Sequence, residues 1–323
     1  MMHPFLIRPH PPTPAAATEP YLFGATSPWN LAANGSVDPL STTLIDSPSS
    51  TGSLQYSFNA VSRGFDIASP ADAAYGVPIY MAYASDPRIH MGDNTGWWGG
   101  LTGVPMPAGA SASPGSDHHL AVWDVPGKKV YEFWNTQHIG ASWSAGLGAV
   151  FESTGLGYQT TVSAGSARAY GGSLIGGIIM RQEMAAGSIP HALAWAYPYT
   201  RGKFYAMGLG ADGVNQNIAC HCDNTSLPNR NSSGNIPEGA RIRLKPSVVV
   251  TNICNGNVAC EVIGKALQTY GGYLVDTAGS NTFYCENRPP SDWSGLLAAT
   301  DARNFQAAHF ELLSLPSTLV QAN

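Results

Sequence analysis

Apolar and polar positions alternate most regularly between Ser116 and Asn135, in SDHHLAVWDVPGKKVYEFWN. Two such runs flank Pro126-Gly127, a strong turn signal, so the segment predicts a β-hairpin. A tight turn centred there sets His119 opposite Trp134, Ala121 opposite Glu132 and Trp123 opposite Val130. Directly opposed residues share a face of the sheet. One face then carries Asp117, His119, Trp123, Glu132 and Trp134, and the other His118, Leu120, Val122, Tyr131 and Phe133. The second is mostly a core face. The first mixes acids, an imidazole and indoles, a combination suited to gripping a sugar. A slip of one residue would exchange the two faces.

The same patterning predicts strands over Val77–Tyr83 and His191–Tyr197, the latter with His191, Leu193, Trp195 and Tyr197 on one face, and over 237–249. Tyr273–Asp276 and Thr282–Cys285 read as a last hairpin. Helical spacing is confined to Arg181–Gly187, closed by its glycine, to Val262–Tyr270, stopped by Gly271, and to a short piece in Pro39–Ser47. Ser291–Leu297 and Thr300–Leu313 read as closing helices or turns, Gly208–Asn235 as a long loop, and Gly96–Gly100 as a glycine loop holding two tryptophans. Many short strands, Gly/Pro turns and few helices predict a mainly β fold, a β-sandwich or jelly roll of antiparallel sheets with a few short helices. No repeat of fixed period points to a propeller or solenoid. Residues 1–20, rich in Pro, Ala and Thr, read as a disordered or extended arm, and residues 21–323 as a single β-rich domain.

Composition narrows the function. The 323 residues suffice for a sizeable core, yet only 11% are charged, against about 25% in an ordinary soluble domain. A net charge of −5 without basic runs argues against nucleic acid and anionic membrane surfaces. No stretch is apolar for long enough to cross a bilayer. Low charge with 36 Gly and 24 Pro suggests an extracellular, secreted protein. Phe5–Ile7 is too short for the apolar region of a signal peptide, so export would follow removal of a signal or another route, or the chain would belong to a phage. Of five cysteines, Cys254 and Cys260 suit a local disulfide, and Cys220 or Cys222 could pair with Cys285. The alternative, a metal at Cys220-His221-Cys222, needs a spacing tighter than ordinary zinc sites use. Sequons at Asn34, Asn224 and Asn231 fall in loop-like sequence.

An ordered string of motifs runs from Thr26 to Gly279: TSPWN, PGSDHHLAVWD, YEFWN, W-x-A-x-x-GAVF, RQE-x-x-x-G-x-IPHAL, P-x-GARIRLKPS and ALQTYGGYLVD-x-x-G. In this order they resemble a group of secreted bacterial proteins, common in actinobacteria, for which no activity is established. The resemblance implies a secreted, β-rich protein. It places Asp117, His119, Glu132, Trp134, Glu183, His191, Arg241, Arg243 and Asp276 at motif positions and supplies no mechanism, so roles must come from chemistry.

Glu132 heads the candidates. A carboxyl beside tryptophan in a cleft can have its pKa raised, as a general acid requires. Asp117 lies four strand residues from its level, roughly 13 Å, too far for a direct carboxylate pair. Glu132 would need Glu152, Glu183 or Asp276 as partner, with Asp117 and His119 orienting it or binding substrate. Trp123, Trp134, Trp97 and Trp98 would form sugar subsites. His191 reads equally as a buried, satisfied histidine or as a base, and Arg181 with Glu183 as an ion pair capping a turn. Asp117, His119 and His191 could together form a mixed-ligand metal site, but no HExxH or H-x-H pattern supports one, and neither metal nor cofactor is expected. Arg241 and Arg243 share a strand face and could clamp an acidic sugar; the plainer reading is a pair of solvated or salt-bridged surface arginines, with Glu238 at hand. No G-x-S-x-G, P-loop or dinucleotide fingerprint occurs.

The expectation is a carbohydrate-active enzyme, a glycoside hydrolase cleaving a polysaccharide in a β-sandwich cleft. One alternative is a polysaccharide lyase with His119 or His191 as base. The other is a non-catalytic glycan-binding, surface, fibre or phage structural protein, whose arm could join a homo-oligomer by strand addition. Geometry discriminates: an enzyme needs two titratable groups converging in a cleft, whereas a structural protein would bury Glu132 and His119 in bonded pairs.

Overall fold

The computed structural model describes residues 22–47, 50, 52–55, 64–68, 74–162, 165–223 and 235–321. The arm at 1–20 and the sequons at Asn224 and Asn231 lie outside these. The strands are β1 Asp66–Ala68, β2 Ile79–Ala82, β3 Arg88–Asp93, β4 Leu101–Pro105, β5 Leu120–Asp124 and β6 Lys129–Trp134. They continue with β7 Gln137–Ile139, β8 Ser142–Ala145, β9 Leu147–Glu152, β10 Leu193–Tyr197, β11 Lys203–Tyr205 and β12 Gly208–Leu209. The last are β13 Gln216–Asn217, β14 Arg241–Leu244, β15 Gly272–Thr277, β16 Thr282–Tyr284, β17 Phe310–Leu312 and β18 Leu319–Gln321. The α-helices are α1 Arg181–Ala186, α2 Val250–Cys254, α3 Val258–Thr269 and α4 Pro290–Trp293.

Three sheets are layered. The outer one, ordered β4-β3-β8-β7, packs Met91, Val104 and Ala145 against Leu120, Val122 and Phe133 of the middle sheet, ordered β2-β5-β6-β9. The other face of the middle sheet, with Ala121, Val130, Ala149 and Phe151, meets Ala194, Ala196, Tyr273 and Val275 of a six-stranded sheet. That sheet is ordered β1-β16-β10-β15-β14-β17. Its far face, bearing Trp195, Leu274, Phe283 and Ile242, is covered by helices through Ile263, Ala266, Leu267 and Trp293. The fold is thus mainly β and sandwich-like, as its strand pattern predicts. The sheets are mixed rather than purely antiparallel: β2 with β5, β3 with β8, β1 with β16 and β10 with β15 run parallel.

The hairpin forms in the register that alternation implies, with Ala121 opposite Glu132 and Trp123 opposite Val130. Asp124 closes its turn by accepting the Gly127 N–H at 3.1 Å. The helix expected from Val262 begins four residues earlier, because the Asn257 side chain accepts the Cys260 N–H and caps it. Helix α1 ends at Gly187 with φ +73°, as expected of a glycine stop. Pro39–Ser47 yields a single helical turn, Thr42–Asp46. Within 237–249 only Arg241–Leu244 is strand, and Thr300–Leu313, expected as a closing helix or turns, opens in turns and ends in β17.

The last hairpin is corrected. Both expected strands exist as β15 and β16, but β10 lies between them, parallel to β15 and antiparallel to β16. All five residues of β10, LAWAY, are buried. A run apolar on both faces is stable only in the interior of a covered sheet, which explains the insertion. The Cys254–Cys260 disulfide forms and ties α2 to α3. A bridge from Cys220 or Cys222 to Cys285 does not: all three are buried thiols, with the Cys285 Sγ 2.9 Å from the Ala68 carbonyl. Among the described residues no helix is long and apolar enough to cross a membrane.

Candidate functional site

The mixed face of the hairpin is a seam, not a cleft. Glu132 is fully buried on β6. Its carboxylate accepts the Ser173 hydroxyl at 2.5 Å, the Leu174 N–H at 2.6 Å and the Ile175 N–H at 3.1 Å. Burial pushes its pKa up to about 7, against the pull of those three donors. The His119 Nε2 lies 3.1 Å from the Ala167 carbonyl. Burial and the nearby Arg168 push this imidazole down to about 3, so it is neutral and donates from Nε2. Both side chains therefore fasten the 167–175 segment onto the middle sheet, and neither presents an open face to substrate.

Other candidates are likewise engaged by the protein itself. His191 places Nε2 2.9 Å from Glu183 Oε1 and Nδ1 2.8 Å from the Ala192 carbonyl. Burial opposes its charge, but the Glu183 carboxylate and both hydrogen bonds outweigh this and raise its pKa. Glu183 also accepts the Met180 N–H at 2.9 Å and so caps α1. The expected capping role holds, with His191 rather than Arg181 as partner. Arg241 donates to the carbonyls of Tyr270 and Leu31, and Arg243 to the Ala33 carbonyl and to Glu311, not Glu238. The two arginines pin the 31–33 segment to the six-stranded sheet and make no clamp for an acidic sugar. Asp117, His119 and His191 do not assemble as ligands. Among the described residues no group of three or more His, Cys, Asp or Glu is placed to hold a metal.

A different constellation converges where the 167–175 segment meets the end of β15. The Arg168 side chain is wholly buried, donating from Nη1 to Asp276 Oδ2 at 3.2 Å. Its Cζ sits 3.9 Å above the Tyr284 ring, while Nη2 has no hydrogen-bond partner among the described residues. The Thr277 N–H is shared by Asp276 Oδ1 at 2.8 Å and Asp223 Oδ2 at 3.1 Å. The triangle of those two bonds keeps the carboxylate oxygens within about 6 Å of each other. Asp117, Asp223 and Asp276 are each half-buried, so the cluster reaches solvent. Burial, then repulsion from Asp223 and Asp117, push Asp276 up to about 7, although Arg168 opposes them. Burial and Asp276 also raise the Tyr284 phenol well above its ordinary value. The result is a carboxyl whose pKa is raised by lost water and by neighbouring negative charge, beside a second carboxyl, the arrangement acid–base chemistry uses.

The sequence marks Asp276 as a motif position and as one conceivable partner for Glu132, with no role of its own, and gives no sign of Arg168, Asp223 or Tyr284 as members of a site. The one available signal was a single arginine inside the glycine-rich, apolar run from Ser163 to Gly177.

Of the tryptophans, Trp134 packs its ring over Gly146 and adjoins Asn135, whose N–H donates to the Asp117 carbonyl at 2.7 Å. Trp123 lines a small apolar cavity with Trp29, Ile79 and His191. Trp98 packs on Phe133 and donates to the Ala145 carbonyl at 3.1 Å. Trp97 is exposed. Comparison of the chain with family models, curated proteins and solved structures finds no match to any of them.

Proposed function

We propose that the protein is a glycoside hydrolase in which Asp276 donates the proton to the leaving oxygen and Asp223 is the second carboxylate. The observation that carries this reading is the pairing itself: Asp276, its pKa raised by burial and by Asp223, shares the Thr277 N–H with Asp223, which keeps their bonded oxygens within about 6 Å. Glycosidases pair a carboxyl kept protonated near neutrality with a second carboxylate, at about 5–5.5 Å for retention and about 6.5–9.5 Å for inversion. An upper bound of about 6 Å excludes the wider spacing of inverting enzymes and is compatible with retention, with Asp223 as nucleophile. Arg168 positions Asp276 through their ion pair, and Asp117 adds to the negative field that keeps the proton on it.

The test is a panel of plant, fungal and bacterial wall polysaccharides incubated with wild type, Asp276→Asn and Asp223→Asn, with released sugars followed by mass. Losing the proton donor should cut release about 10²–10⁴-fold. Release by Asp276→Asn at the wild-type rate would refute the assignment, and unsaturated products would replace hydrolysis by elimination. A second reading has its own support: Glu132 and His119 are both held in internal bonds, as a non-catalytic protein would hold them. Glycan binding without release would establish it.

A further inference from the structure

We infer that Trp97 is an outer sugar-stacking subsite, which adapts this protein to neutral polysaccharide chains rather than to short oligosaccharides; the inference rests on the glycan reading above. Trp97 is 73% exposed, on a loop built to keep it so. Both oxygens of Asp93 are spent on that loop: Oδ1 accepts the N–H and hydroxyl of Thr95 and the Gly96 N–H, and Oδ2 accepts the N–H groups of Trp98 and Gly99. These bonds hold the Asp93 carboxyl well below the usual carboxylate range. Trp98 turns inward as the anchor, and the Thr95 hydroxyl reaches the Gly146 carbonyl at 2.7 Å. Gly96 and Gly99 sit at φ +80° and +81°, and a Cβ on either would meet nothing within 4 Å, so the indole is flanked by open space. A loop ordered in advance spares the entropy that stacking would otherwise cost.

The chain of contacts leads from this loop to the acid cluster. The Asn94 side chain donates to the Asn135 carbonyl at 3.1 Å, the Asn135 N–H donates to the Asp117 carbonyl at 2.7 Å, and Asp117 bears on Asp276. Trp134 lies on the same path. A polymer bound at Asp276 and running past Trp134 would arrive at Trp97.

The surroundings choose the occupant. No Lys or Arg occurs from Ile89 to Gly127, the stretch that contains the Trp97 loop, which favours an uncharged occupant over a lipid headgroup or a uronate. Trp97 follows Gly96 on a loop that also carries Asn94 and Thr95, and the Asn94 side chain reaches the Asn135 carbonyl. A lone indole with amides and hydroxyls at its rim suits a neutral sugar: the ring takes its apolar face and the rim its hydroxyls.

The test measures affinity separately from turnover. Wild type, Trp97→Ala, Trp97→Phe and Asp276→Asn are titrated with soluble β-glucan, arabinoxylan and galactomannan, with polygalacturonate and anionic phospholipid vesicles as controls. Trp97→Ala should weaken binding of the preferred neutral polymer about 5–20-fold and Trp97→Phe about threefold or less, while Asp276→Asn supplies a background in which affinity is read without hydrolysis. The kcat/KM of Trp97→Ala should fall by the same factor on polymer and stay unchanged on the shortest cleaved oligosaccharide. The ring is exposed, so melting temperatures should match wild type. Unchanged affinity in Trp97→Ala, no binding of any neutral polymer by wild type, or a preference for polygalacturonate or vesicles would each overturn the inference. If Asp276→Asn cleaves normally the catalytic assignment falls, while the affinity series still decides the role of Trp97.

Discussion

Replacing Glu132 with Gln separates a buried fastener from a catalytic acid. The folded protein raises the Glu132 pKa from 4.5 to about 7 through burial. The native state therefore holds this proton more tightly than the unfolded chain does, and stability is lost as pH rises from about 4.5 to about 7. One pH unit of displacement corresponds to about 1.4 kcal/mol, so this group alone removes up to ~3 kcal/mol across that window. Gln is neutral throughout and loses none of it. Its amide oxygen can keep the Ser173 and Ile175 bonds, but its NH₂ then faces the Leu174 N–H, which is left without an acceptor. One buried, unsatisfied N–H costs about 1–3 kcal/mol. Glu132→Gln should thus be less stable than wild type by that amount near pH 4, and the deficit should shrink by up to ~3 kcal/mol by pH 8 and vanish or reverse. Urea denaturation of both proteins at five pH values measures it, and the other titrating groups cancel in the difference. A deficit that widens with pH would mean that Glu132 is ionised and favoured in the fold, refuting the argument. On glycan, a folded Glu132→Gln should retain turnover within a few-fold; complete loss would return Glu132 to the catalytic centre.

Turnover should fall as pH rises through about 7, where Asp276 loses the proton it must donate. Arg168→Met removes the cation that holds that value down, so the alkaline limb of the kcat profile should move upward, and the lost buried ion pair should lower stability by several kcal/mol in thermal melts. Gly177 has φ +74° and lies so close to β10 that a Cβ would sit 2.4 Å from the Ala194 nitrogen, so Gly177→Ala should destabilise by more than about 2 kcal/mol in urea or fail to fold. A paired Cys254→Ser, Cys260→Ser variant opens a short loop, for which chain entropy gives a loss of about 2 kcal/mol; an unchanged melting temperature would show that the packing of α2 on α3 suffices without the bridge.

What the chain determines by itself is what short-range order can encode. The hairpin register follows from a period of two either side of a Pro-Gly turn, and β5 and β6 pair accordingly. Helix α1 follows from its glycine stop, α3 from its apolar spacing, and the 254–260 disulfide from proximity along the chain. Sequence also places Glu132, His119 and Trp134 on one face correctly, but what covers that face comes from more than 40 residues away: Ser173 and Leu174 over Glu132, Ala167 over His119. Tertiary packing alone decides that an open-looking face is sealed. It also decides that β10 parts β15 from β16, because burial of both its faces outweighs the local preference for a hairpin. The acid cluster is its product too. Arg168 and Asp276 are 108 residues apart and Asp223 a further 54 from Thr277, so no local period links them. Asp276 becomes an acid near neutrality through lost water and neighbouring charge, both properties of the packed layers and neither of any stretch of sequence.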